Sequence, residues 1–133
     1  MPSENSALKD KFAQHLQINI VSCEEGRAKV KLTVQPHFLN GAGLVHGGVI
    51  FTLADYAFAL ASNAGEDSAL GVNANVNFVK AAHPGDELYA EAWLISRSRK
   101  LGTYRIDVTN QDGAILATSQ SLAYFKQPES KSG

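Results

Sequence analysis

The stretch "NGAGLVHGGVIFTLADYAFALASN", residues 40–63, holds one charged side chain, Asp55. A carboxylate in apolar surroundings is costly unless it is paired or hydrogen-bonded, and acidic side chains are seldom fully buried without a partner. In mid-helix an Asp also competes for backbone hydrogen bonds. One reading is a structural Asp that bonds a backbone group. The other, which we favour, is a functional carboxylate, because lone carboxylates in apolar settings have perturbed pKa values and cluster at active sites.

"HGG", His46 to Gly48, stands just before the same apolar run. Paired glycines let the backbone approach a ligand closely. A helix N-terminus offers unpaired N–H groups and a partial positive charge, which suit a developing oxyanion in acyl transfer. The plain alternative is a tight turn. Asp55 lies about two helical turns further on, roughly 10 Å along the axis. That is far for one chain's N–H donors and carboxylate to meet on one carbonyl, and a carboxylate from a second subunit would close the gap. His46 either positions a substrate or carboxylate or fixes the glycine-rich loop. Asn40 either holds a water or carboxylate or is a turn residue, and taken alone the turn is the better reading. Asn73, Asn75 and Asn77 recur at every second position of a strand-like segment, where Asn is depleted. Their row marks an edge, a site or a subunit contact, or else a wet outer face. Arg97, Arg99 and Lys100 in "SRSRK" suit a phosphate; a solvated basic turn is the ordinary alternative.

Other chemistries lack their residues. His15, His37, His46 and His83 have no metal-ligand spacing, and the chain has no GxSxG, GxGxxG or P-loop motif. The single cysteine, Cys23, excludes an intramolecular disulfide and reads as a structural thiol, since nothing nearby lowers its pKa. A net charge of −1 gives no whole-chain case for nucleic acid or an anionic membrane. No apolar run is long enough to span a bilayer. The polar start "MPSENSALKDKF" does not resemble a signal peptide, so the expected compartment is the cytoplasm.

These residues must be positioned by one domain, 1–133, with disordered tails expected at 1–5 and 127–133. "SALKDKFAQHL" predicts a short N-terminal helix with Ser6 as N-cap. "QINIVSC" and the alternating "RAKVKLTVQ" predict two strands. The glycine-rich "NGAGLVHGG" reads as a loop, followed from Val49 by a helix that is apolar nearly all round and therefore buried. Asn63 and Gly65 supply its stop. "LGVNANVNFV", "ELYAEAWLISR", "TYRIDVTN" and "AILATSQSLAYF" predict a four-stranded meander. The layout is α+β: a curved antiparallel sheet wrapped around the buried helix, with one helix side left open for an oligomer.

Asn40, the "HGG" of residues 46–48, Asp55 and "NVNFVKAAHPGD" together closely resemble the pattern of the hotdog-fold acyl-CoA thioesterases of the PaaI type, the phenylacetate-degradation thioesterases. The resemblance runs from about Gln17 to Lys126. It implies hydrolysis of an acyl- or aryl-acyl-CoA, such as phenylacetyl-CoA or a hydroxylated relative, by a homodimer sharing two sites within a homotetramer. No metal or cofactor is implied, since coenzyme A is part of the substrate. By the same resemblance Asp55 is nucleophile or general base, the Gly47 N–H polarises the thioester carbonyl beside Gly48, and Asn40 and His46 orient the reacting groups. By the same resemblance, relatives place a small hydroxyl residue at the position of Asn73. Two rival readings are a hotdog dehydratase or hydratase acting on acyl thioesters, and a non-catalytic acyl-CoA-binding regulator. The first needs a His base with an acidic partner; the second has no need of Asp55.

Overall fold

The computed structural model describes residues 5–126. The expected tails thus lie outside the described residues, apart from Asn5. That residue is ordered and caps a 3-10 turn, Ser6–Lys9, by accepting from the Ala7 N–H. The single N-terminal helix predicted with a Ser6 cap is in fact this turn followed by a short helix α1, Lys11–His15. Asp10 breaks the run. Its backbone is extended, and its carboxylate accepts from the Ala13 N–H at 2.9 Å, which starts a new helix.

Six antiparallel strands follow around one long helix: β1 Asn19–Glu24, β2 Arg27–Thr33, α2 Gly47–Asn63, β3 Ser68–Phe78, β4 Glu87–Arg97, β5 Leu101–Thr109 and β6 Ile115–Lys126. Every strand and the buried helix were legible from alternation and composition. Their order was not. The sheet runs β1-β2-β4-β5-β6-β3, so only β4 to β6 form a meander, and β3 pairs with β6 at the far edge. The reason is the helix. A curved sheet covers an apolar helix only if strands flank it on both sides, so β2 and β3 stand on opposite flanks with the hairpins between.

The inner face of the sheet is built for close approach. Ala28, Val30 and Leu32 of β2, Leu88, Ala90 and Ala92 of β4, Ile106 and Val108 of β5, and Ala117 and Ala123 of β6 are all buried. They meet Ile50, Leu53, Ala54, Ala57, Leu60 and Ala61 on α2, the three- and four-residue spacing of one helix face. The many alanines let the helix settle into the curve. Gly65 is not the expected left-handed stop, since its φ is not positive; a Cβ there would sit 2.7 Å from Glu25 Oε2. Asn63 ends the helix instead. Its amide donates to the carbonyls of Ala59 and Ala69 and accepts from the Ala69 N–H, stitching the helix end to β3.

The opposite side of α2 is uncovered. Gly48, Phe51, Thr52 and Asp55 lie along it, and Asp55 is exposed while its neighbours Ala54 and Tyr56 are buried. This is the open side that the oligomer expectation required.

Candidate active site

Two hollows lie along α2, one at the Phe78 end of the edge strand β3 and one against its middle, residues 71–74. The helix runs antiparallel to that strand. Its start packs at Phe78, where a Cβ on Gly47 would meet the ring at 3.3 Å. Phe58 packs at Gly71, where a Cβ would meet its ring at 2.9 Å.

The first hollow, about 270 Å³, is lined by Asn40, Leu44, Val45, Gly47, Ile50 and residues 78–82. The glycines were expected in the loop before the helix; they are its first turn. His46 is the N-cap, with its Nδ1 accepting from the Gly48 N–H at 2.8 Å. A Cβ at Gly48 would come within 2.9 Å of that nitrogen, so the second glycine is there to admit the imidazole. An Nδ1 that accepts carries no proton, so neutral His46 holds its proton on Nε2 and acts as a donor. The N–H groups of Val49 and Ile50 reach the His46 carbonyl. Among the described residues the Gly47 N–H is left without a partner, and Gly47 lines the hollow.

Asn40 organises the loop leading there. Its side-chain oxygen accepts from the N–H groups of Ala42 and Leu44, at 2.9 and 3.1 Å. Gly43 takes the left-handed φ of +78° that the turn requires. The same construction recurs in the β5–β6 hairpin, where Asn110 accepts from Asp112 and Ala114 and Gly113 has φ +79°. The turn reading of Asn40 therefore accounts for its oxygen. What sets Asn40 apart is location: it lines the hollow together with Gly47, and its NH₂ has no partner among the described residues.

The second hollow, about 300 Å³, is lined by Phe51, Asp55, Phe58 and residues 71–74. Asp55 has no hydrogen-bond or ion-pair partner among the described residues. Solvent reaches the carboxylate, but the surrounding rings and strand remove part of its hydration. Its pKa is raised above the ordinary carboxylate value by that desolvation, with a smaller push from the negative charge of Asp10.

The predicted residues thus fall into separate groups. Asn40, His46, Gly47 and Gly48 are together at the helix start. Asp55 is apart from them, and the two linings share no residue. Asn73 borders the Asp55 hollow, yet its oxygen accepts from the Asn75 amide at 3.2 Å. Asn73, Asn75 and Asn77 stand opposite Leu122, Gln120 and Thr118. Facing residues share a side, and Ser119 and Ser121 between those partners are buried. The Asn row therefore lies on the outer face of the sheet. Arg97 is not a spare cation: its guanidinium pairs with Asp67 at 2.7 Å and stacks over Phe125 at 3.6 Å. Arg99 and Lys100 are exposed, and none of these three lines either hollow. Sequence reading passed over Lys80, which lines the Gly47 hollow; nothing in its local pattern marks it. Cys23 donates to the Leu60 carbonyl at 3.6 Å, and desolvation holds its thiol pKa up, which suits a structural thiol.

Residues 42–117 match the Thioesterase superfamily. The chain belongs to that family. It is 37% identical over 108 residues to acyl-coenzyme A thioesterase PaaI of Escherichia coli, covering 81% of this chain and 77% of that protein. It is 39% identical over 115 residues to a putative esterase of Archaeoglobus fulgidus, covering 86% and 75%. The structure of the E. coli PaaI protein from the phenylacetic acid degradation operon superposes with a TM-score of 0.88 at 32% identity, over 92% of this chain and 91% of that one. A Streptococcus mutans protein solved bound to acetyl CoA gives 0.80 at 27% identity, over 85% and 91%. The expected hotdog architecture, a curved sheet around a central helix, is therefore the one found. No helix among the described residues is long and apolar enough to cross a membrane.

The raised pKa of Asp55 has a consequence for stability. A group whose folded pKa is raised favours folding below its unfolded pKa and loses that contribution as pH rises through the folded value. Near neutral pH the ionised carboxylate is therefore a destabilising element. Asp55→Asn is expected to melt above wild type near neutral pH, and the two melting curves should converge as pH falls below the carboxylate range. Thermal melts across that range check it; an Asn variant that melts lower near neutral pH would show a structural carboxylate instead.

Proposed function

We propose that this protein hydrolyses acyl-CoA thioesters, with aryl-acyl-CoA esters as its best substrates, in a homodimer whose two sites are each built from both chains. The observation that carries this reading is an N–H at a helix start and a carboxylate on the same helix, both unpartnered among the described residues, one beside the end and the other beside the middle of one exposed edge strand. The Gly47 N–H, aided by the helix dipole, polarises the thioester carbonyl. Asp55 of the partner subunit either attacks that carbon or delivers water to it. The Asn40 NH₂ and the His46 Nε2–H are donors able to orient the carbonyl or the carboxylate. His46 spends its Nδ1 on the helix cap, which speaks against the dehydratase chemistry that needs a histidine base.

The names of the relatives support the thioester, and the rings of Phe51, Phe58 and Phe78 beside the hollows support an aromatic acyl group and a role in phenylacetate breakdown. The reading needs no metal or cofactor, and it keeps the cytoplasm as compartment and a pair of such dimers as the tetramer. Lys80, which lines the Gly47 hollow, replaces Arg97, Arg99 and Lys100 in our assignment as the contact for coenzyme A phosphates.

Thiol release from a panel of aromatic and aliphatic CoA thioesters tests the reading. Asp55→Ala is expected to lose at least about a thousandfold in kcat/KM with its oligomer intact. The acid limb of the wild-type pH profile should lie above an ordinary carboxylate pKa. Release unchanged in the variant would remove Asp55 from the reaction. The N–H has its own test. Gly47 is the first helical residue, where proline is tolerated, and His46 before it has the extended backbone proline requires, φ −60° and ψ 133°. Gly47→Ala and Gly47→Pro both add a Cβ against Phe78, but only proline deletes the N–H. The proline variant should be about a hundredfold slower than the alanine variant; equal rates would exclude the N–H as donor. Lys80→Ala should raise KM for the CoA ester while leaving a phosphate-free N-acetylcysteamine ester unaffected. A rise for both esters would show a packing role instead.

A further inference from the structure

The hollow beside Asp55 is bounded by aromatic rings that take no part in the chemistry above. Phe51, Asp55 and Phe58 follow one another along α2 at intervals of four and three residues, the spacing of a single helix face. The carboxylate thus stands between two rings roughly 10 Å apart along the axis. Residues 71–74 of β3 line the same hollow. A cavity of about 150 Å³ holds benzene, and this hollow measures about 300 Å³. It has room beside the carboxylate for one aromatic ring or a short chain. A longer acyl group laid along the helix away from Gly47 meets Phe58.

The two rings differ in freedom. Phe51 is half-buried, whereas Phe58 is only 3% exposed and is pinned from two directions. Tyr104, itself buried on β5, meets it edge-on, with centroids 5.3 Å apart and planes at 76°. The other contact is Gly71, where a Cβ would come within 2.9 Å of the ring, so the backbone of β3 abuts Phe58 directly. Gly71 is also where β3 loses register with β6. Gly71 faces Ala123 and Asn73 faces Leu122, which leaves Val72 as the extra residue of a bulge. Tyr104 is backed in turn. A Cβ on Gly102 would lie 3.1 Å from its ring and 2.7 Å from that of Phe125, and the Arg97 guanidinium stacks on Phe125 at 3.6 Å. Close packing of this kind leaves no empty space for the Phe58 ring to turn into.

We propose that Phe58 is the end wall of the acyl-binding hollow and limits the acyl group to a single ring or a short chain. Phe58 is then a specificity-determining residue, and Tyr104 is a positioning residue that acts through it. The proposal rests on the thioesterase reading above and deepens it: it states which acyl-CoA esters the site turns away and which side chain does so.

Acyl selectivity tests it in the full chain. Thiol release from acetyl-, phenylacetyl- and dodecanoyl-CoA is measured, and each kcat/KM is divided by that for acetyl-CoA, whose acyl group ends beside the carbonyl. Such a ratio does not depend on what fraction of a variant is folded, because unfolded protein lowers all rates alike. Wild type is expected to prefer phenylacetyl- to dodecanoyl-CoA. Phe58→Ala should raise the dodecanoyl ratio at least about tenfold; Phe58→Leu, a milder change in the core, should raise it by less. Tyr104 does not line the hollow, yet Tyr104→Leu should also raise the ratio by freeing the Phe58 ring to swing, and Tyr104→Phe, which keeps the edge contact, should match wild type. A ratio unmoved in the Phe58 variants or in Tyr104→Leu would overturn the proposal. A wild type that already works best on dodecanoyl-CoA would overturn it too, with the thioesterase reading left standing. Release of no thiol from any of these esters by wild type would remove that reading, and the end wall with it.

Discussion

Everything in this molecule turns on how an antiparallel sheet covers a helix that is apolar nearly all round. The sheet curves, presents a row of alanines, and flanks the helix with β2 on one side and β3 on the other. One side of the helix stays open, and Asp55 is on it. The carboxylate escapes burial among the core residues but remains in a hollow of aromatic rings and strand backbone that strips part of its hydration. A charge kept there without a partner among the described residues is a cost to the folded chain, the usual mark of a residue retained for something other than stability.

The helix start shows a complementary economy. His46 caps it through Nδ1, Gly48 yields the space that the imidazole needs, and the Gly47 N–H has no partner among the described residues. The Asn40 loop that delivers the chain to this point is an ordinary asparagine–glycine turn, since the Asn110 loop repeats it. A common structural device thus comes to line the hollow at the helix start through where it is placed.

Much of this was legible in the residues themselves. Alternation identified each strand and which of its side chains face inward, as in Ala28, Val30 and Leu32. The alanine-rich run after "HGG" identified the buried helix, and the isolation of Asp55 in that run singled it out before any fold was known. The distance between Asp55 and the glycines, read from helical rise alone, already separated the two groups that the structure finds in different hollows. The pattern of Asn40, His46 to Gly48 and Asp55 carried the family resemblance, because close backbone approach and a lone carboxylate constrain residue type at fixed spacing.

What only tertiary structure decided were the relations between distant segments. Period-two alternation reports a strand's faces but not its neighbours, so β3 was expected beside β4 and is found beside β6. A basic run reports charge but not partners, and Arg97 proved to be held by Asp67 and Phe125 from far along the chain, while Lys80 came to the Gly47 hollow with no local mark. The two glycines of "HGG" were suspected of admitting a ligand; their immediate neighbours are the rings of Phe78 and His46. Sequence by itself determined which residues are exceptional for their surroundings, because hydrophobic period and residue chemistry are local. Which of them meet was decided by the wrapping of the sheet, because it brings together segments whose separation along the chain carries no information about their contact.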